Sequence, residues 1–111
     1  MKIQAAVPVA LLLLLVLASG CAQKAPLLTS NTAIAACVQA CEVGRANGKD
    51  LSAGPCLLNP VPQNEDWVCD VAHNPRLDID SNPRNQCSAY AYKSARYFIE
   101  VTPDCQLIGT G

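Results

Sequence analysis

The residues best equipped for chemistry in this chain are six cysteines, Cys37, Cys41, Cys56, Cys69, Cys87 and Cys105, and one histidine, His73. Cys37 and Cys41 stand four apart, so a helix would turn both sulfurs to one side. There they could ligate a metal, act as a redox pair or bridge to other segments. A bridge between the two is disfavoured, because their Cβ vectors are nearly parallel and a disulfide needs its Cβ atoms within about 4 Å. The Cys-x-x-Cys spacing of a thioredoxin-type site is absent. An even number of thiols in a small chain favours three structural bridges, although sequence alone does not select a pairing. The expectation is that Cys37 and Cys41 point inward and bridge to separate partners between Cys56 and Cys105.

His73 sits in Asp70-Val71-Ala72-His73-Asn74-Pro75-Arg76. With Ser52, Ser81, Ser88 or Ser94 and an aspartate it could complete a hydrolytic triad, since neutral imidazole accepts a nucleophile's proton. No nucleophile-elbow motif surrounds any of these serines, and a solvent-facing or turn-stabilising histidine is the expectation. A zinc site would need His73 together with cysteines already required for bridges, so no metal and no cofactor is expected. Asp78-Ile79-Asp80-Ser81-Asn82 spaces its oxygens like the start of a calcium loop. Pro83 then stands where an EF-hand has Gly, and Ala89 where it has a bidentate Glu, so a solvated acidic turn is expected.

These residues must be carried by few elements. Ile34, Cys37, Val38 and Cys41 recur at i, i+3, i+4 and i+7, which predicts a helix capped by Ser30 or Asn31 and ending near Asn47-Gly48. From Lys49 to Asp66 prolines and turn residues predict an irregular loop stapled by Cys56. Within it Gly54-Pro55-Cys56-Leu57-Leu58-Asn59-Pro60 is either a rigid docking loop or a segment whose leucines fold back as core, and the second is expected. Trp67 to Val71 predicts a short strand, and His73 to Gln86 a second loop. Cys87 to Tyr92 and Arg96 to Val101 are expected to pair as a hairpin, with Pro103-Asp104 turning into a last edge strand at Cys105 to Ile108. On Tyr97 to Val101 both faces carry large side chains, which implies that one meets the helix and the other is partly covered.

At the start of the chain, Lys2 precedes an apolar stretch, Ala5 to Val16, followed by Leu17-Ala18-Ser19-Gly20-Cys21. This is the architecture of an export signal. The closing residues resemble the lipobox of prokaryotic lipoproteins, although Ala18 stands where that motif usually has Leu. The resemblance implies that the thiol of Cys21 is acylated and that cleavage makes it the first residue. Cys37-Val38-Gln39-Ala40-Cys41, Trp67-Val68-Cys69-Asp70 and Val101-Thr102-Pro103-Asp104-Cys105 also look like segments of small exported prokaryotic proteins, a likeness that transfers no active site.

Removing residues 1–20 of the 111 leaves 91, enough for one small core. The expected organisation is a signal peptide at 1–20, a tether at 21–30 and a disulfide-stapled domain at 31–111. With Lys2 gone, seven basic residues face nine acidic ones, and no basic stripe suggests a nucleic-acid partner. The expected fold is α+β, one N-terminal helix on a short antiparallel sheet with long loops. The expected role is a non-enzymatic, extracytoplasmic binding or interaction module, held to the membrane by lipid on Cys21, with a protein or small molecule as partner. The alternative is a small enzyme or redox protein using His73 or a labile cysteine pair, and an inhibitor of proteases or a calcium binder comes third.

Overall fold

The computed structural model describes residues 29–111; the expected signal peptide, Cys21 and most of the expected tether lie outside the described residues. The chain forms helix α1 (Thr29–Ala46), strands β1 (Cys56–Leu58) and β2 (Trp67–Val71), a short helix α2 (Ser88–Ala91), and strands β3 (Tyr97–Val101) and β4 (Leu107–Thr110). Three 3-10 turns, Leu51–Ala53, Asp78–Ser81 and Pro83–Asn85, punctuate the loops. The architecture is α+β, one long helix against a four-stranded sheet in sequential order.

Helix α1 opens at Thr29, ahead of both Ser30 and Asn31, so neither of these is its cap. Its end follows the reading of Asn47-Gly48. Gly48 takes φ 81°, its N–H donates to the Arg45 carbonyl, and the Lys49 N–H donates to that of Gly44. This left-handed close satisfies carbonyls that the helix itself leaves free. The buried stripe of α1 runs Ala33, Cys37 and Cys41, with Ile34 and Val38 half-buried beside it.

The sheet is mixed, which corrects the expectation of an antiparallel one. β1 and β4 pair antiparallel at the edges, but β2 and β3 run parallel, in register from Trp67 opposite Tyr97 to Val71 opposite Val101. The expected hairpin of Cys87 to Tyr92 with Arg96 to Val101 does not form. Ser88–Ala91 is helical instead, because parallel neighbours need a crossover of a dozen residues or more and this segment is its last part. The hairpin partner of β3 is β4, joined through a tight turn in which the Cys105 N–H donates to the Thr102 carbonyl.

Side chains alternate across a strand. Cys69 and Val71 from β2, with Ile99 and Val101 from β3, face α1 and form the main core with Leu51 and Cys105. Leu57 and Leu58 fold back against that core as half-buried filler. On the opposite face Val68 and Phe98 meet Cys87, Ala89 and Ala95 from the crossover. The second face is therefore partly covered, as the residue pattern of Tyr97 to Val101 implies.

Three disulfides lock these layers. Cys37 joins Cys69 and Cys41 joins Cys105, so α1 is pinned at two points to β2 and to the turn before β4. Cys56 joins Cys87, tying β1 to the crossover. Each bridge closes a separation of 31 to 64 residues and stabilises by roughly 3–4 kcal/mol through restriction of the unfolded chain. Such a framework belongs to an oxidising compartment outside the cytoplasm. No helix among the described residues is long and apolar enough to cross a membrane.

Candidate functional site

The second face of the sheet carries a recess that the position of its lining residues in the sequence does not advertise. Because β2 and β3 are parallel and in register, Asp70 and Glu100 lie opposite each other, just as Val68 lies opposite Phe98. These four side chains floor a hollow of about 230 Å³. Arg76 and Gln86 from the loop after β2, together with Cys87 and Tyr90, complete its lining. Tyr90 meets Phe98 edge-on, ring centroids 5.3 Å apart, so part of the wall is aromatic.

Asp70 is only 7% exposed, and its Oδ1 has no hydrogen-bond partner. Buried carboxylate oxygens are ordinarily satisfied, and leaving one without a donor is costly. Burial, reinforced by the negative charge of Glu100, pushes the Asp70 carboxyl up to about 7, against the pull of Arg76. Glu100 is treated differently. Its Oε2 accepts from Arg76 Nη1 at 3.1 Å, at the rim where Arg76 is about half exposed. The recess thus holds one ion-paired carboxylate and one buried carboxyl that still needs a donor.

Asp80 braces the loop behind this wall. Its side chain is fully buried, and its Oδ2 accepts from the backbone N–H groups of His73 and Leu77, each at 2.9 Å. His73 Nδ1–H donates to Oδ1 at 2.9 Å. The Asp80 carbonyl accepts from Arg76 Nη2 and from Gln86 Nε2, which orients two recess residues. Burial alone would raise the Asp80 carboxyl, but the donors from Leu77 and His73 outweigh it and hold the carboxyl below the usual range.

His73 therefore meets an aspartate, as a triad would require, but three of the four serines named with it are engaged elsewhere, and Ser81 is exposed. Ser52 donates to Asp50, Ser88 accepts from Asn59, and Ser94 donates to the Ala89 carbonyl. The hollow beside His73 is lined by one hydroxyl residue, Thr102, whose oxygen accepts from the backbone of Asp104 and Gln106. Asp80 points inward, which removes it from any calcium loop built on Asp78 to Asn82. The cysteines expected to bridge do so, with Cys37, Cys41 and Cys69 fully buried.

No family model matches this chain, and no curated protein or solved structure is significantly similar to it. The recess itself is thus the guide to function. Sequence reasoning does not bring its residues together, because Asp70 and Glu100 are thirty positions apart. The available signal was a lone acid in each of two apolar strands, Cys69-Asp70-Val71 and Ile99-Glu100-Val101.

Proposed function

We propose that this protein is a lipid-anchored, extracytoplasmic binding module whose ligand site is the recess between Asp70 and Glu100, and that it acts without chemical turnover. The observation that carries the reading is the unpartnered Oδ1 of a nearly fully buried Asp70 lining a hollow. Buried acceptors are ordinarily hydrogen-bonded, and a ligand that brings a donor into the hollow would meet that need. The bridges that pin α1 to β2 and tie the crossover to β1 keep the recess preformed, which lowers the entropic cost of binding. The environment of His73 supports a bracing role, since its ring and backbone both serve Asp80.

The anchoring part rests on Leu17-Ala18-Ser19-Gly20-Cys21. Two acyl chains on Cys21 would hold the protein firmly, since one chain alone gives marginal binding. Cys21→Ser should leave the precursor uncut or release the protein from the membrane fraction. Mass spectrometry showing an unmodified mature N-terminus beginning elsewhere would overturn it.

The binding part is tested by screening mixtures of small molecules against the full chain in detergent, read by chemical-shift changes. Reversible shifts centred on Asp70, Phe98 and Glu100, with the compounds recovered unaltered, are expected. Shifts confined to His73 and Thr102, or chemical conversion of a compound, would contradict the reading.

A further inference from the structure

The recess selects for charge as well as shape. Two carboxylates from neighbouring strands face one guanidinium, and that guanidinium is already committed to Glu100 and to the Asp80 carbonyl. Asp70, whose buried Oδ1 has no partner, is the carboxyl left without a cation, and its side chain lines the hollow. An anion entering here would meet Asp70 and Glu100 together, and like charges at such range disfavour it. A neutral hydroxyl would satisfy the acceptor but would leave the negative charge of ionised Asp70 uncompensated. A cation with N–H donors answers both needs, since hydrogen bonds between charged partners are the stronger kind.

The remaining lining constrains the rest of the ligand. Phe98, Tyr90 and Val68 present an aromatic and aliphatic wall beside the carboxylates. Aromatic rings attract cations and also accept an apolar chain. A hollow of about 230 Å³ is smaller than those that hold drug-sized ligands, so the bound part is a short one. Metal ions fit less well, because among the described residues no group of three or more His, Cys, Asp or Glu side chains gathers to hold one.

Building on the recess as the ligand site, we propose that it binds a primary ammonium group carried on a short apolar body, with the Asp70 carboxylate accepting from the ammonium N–H and Phe98 and Tyr90 covering the chain. Glu100 adds long-range attraction while it stays paired to Arg76. Below neutral pH Asp70 holds a proton, so the ammonium displaces it and one proton leaves to solvent for each ligand bound. The charged groups that act on Asp70 are Glu100 on β3 and Arg76 and Asp80 on the crossover loop, and Tyr90 of α2 lines the same hollow. Affinity therefore rises with pH until Asp70 is fully ionised.

The test uses the full chain with three probes of equal length, n-butylammonium, n-butanol and butyrate, followed by chemical shift and calorimetry. Butylammonium should shift Asp70, Phe98 and Tyr90, bind at least tenfold more tightly at pH 8 than at pH 5.5, and release a proton at the lower pH. Asp70→Asn should weaken it at least tenfold and abolish the pH dependence, with spectra elsewhere unchanged. Should Asp70→Asn disturb those spectra, Glu100→Gln is read in its place and should weaken butylammonium by a smaller factor. If butanol or butyrate binds the recess as well as butylammonium does, the ammonium assignment fails and the recess reading stands. If none of the three shifts the recess, while compounds from the screen shift it, the ammonium assignment alone fails. If nothing shifts it, both fail.

Discussion

Asp70 and Glu100 occupy matched positions on parallel strands β2 and β3, yet only Glu100 has a cationic side chain in hydrogen-bond contact. The asymmetry comes from the loop after β2. Arg76 reaches the rim and meets Glu100, while Asp70 lies deeper, beside the start of that loop. Of two carboxyls in one hollow, one is ion-paired at the rim and the other is raised by burial, and a carboxyl perturbed in this way is common where a site handles charge.

This raised Asp70 makes stability depend on pH in a specific direction. An unfolded aspartate releases its proton near pH 4, whereas folded Asp70 keeps it to about 7. Between these values the folded state binds more protons than the unfolded one, so this contribution to stability is intact below about pH 4 and is lost as pH rises through 7. Asp70→Asn removes the dependence. We expect the variant to gain on the wild type by about 2–3 kcal/mol between pH 5 and pH 8, measured as the difference in urea unfolding curves.

Asp80 works with the opposite sign. Its carboxyl is held below the usual range, so its contribution is present above the unfolded value near 4 and is lost as pH falls through the lower folded value. Asp80→Ala would strand the N–H groups of His73 and Leu77 and free Arg76 and Gln86 from their anchor. A loss of roughly 2–4 kcal/mol is expected at pH 7, and less at pH 2, by the same unfolding measurement.

Gly54 stands behind Asp80 with φ 72°, and a Cβ placed on it would come 2.8 Å from Asp80 Oδ1. Both the backbone conformation and the close approach demand glycine here. Gly54→Ala should cost about 1–3 kcal/mol and lower the melting temperature accordingly, whereas Gly109→Ala, with open space around it, should cost far less on steric grounds.

The two anchors of α1 offer a test of the frame. Cys37→Ser and Cys41→Ser should each cost roughly 2–5 kcal/mol, because each breaks a bridge and leaves a buried polar atom. Gln39→Ala, on the exposed side of the helix, should stay within about 0.5 kcal/mol. Chemical denaturation of the three variants under non-reducing conditions measures the difference.

Local signals carried α1 and β2 well. The Ile34, Cys37, Val38 and Cys41 period marks the buried side of the helix, and the same period required Cys37 and Cys41 to bridge apart. What periodicity does not encode is which strands become neighbours. Cys87 to Tyr92 has residues that suit a strand, but the Cys56–Cys87 bridge and the packing of Ala89 near Val68 and Phe98 hold that segment over the sheet as a turn of helix. Reading it as a strand placed β3 beside the wrong partner. It also hid the alignment of Asp70 with Glu100, which exists only when β2 and β3 are parallel. The role of His73 was clearer, since a histidine beside Asn74-Pro75 suits a turn, although the depth of its partner Asp80 was not legible from Asp78-Ile79-Asp80.

The central claim is that Asp70 is a buried carboxyl whose donor is supplied by a ligand. Carboxyl-carbon NMR of the full chain, titrated from pH 3 to pH 9 with and without n-butylammonium, tests it most directly. The account requires the Asp70 resonance to titrate near 7 in the free protein and to move to clearly lower pH with the probe bound, while Asp80 titrates below the ordinary aspartate range in both. An Asp70 midpoint near 4 that the probe leaves unmoved would contradict it.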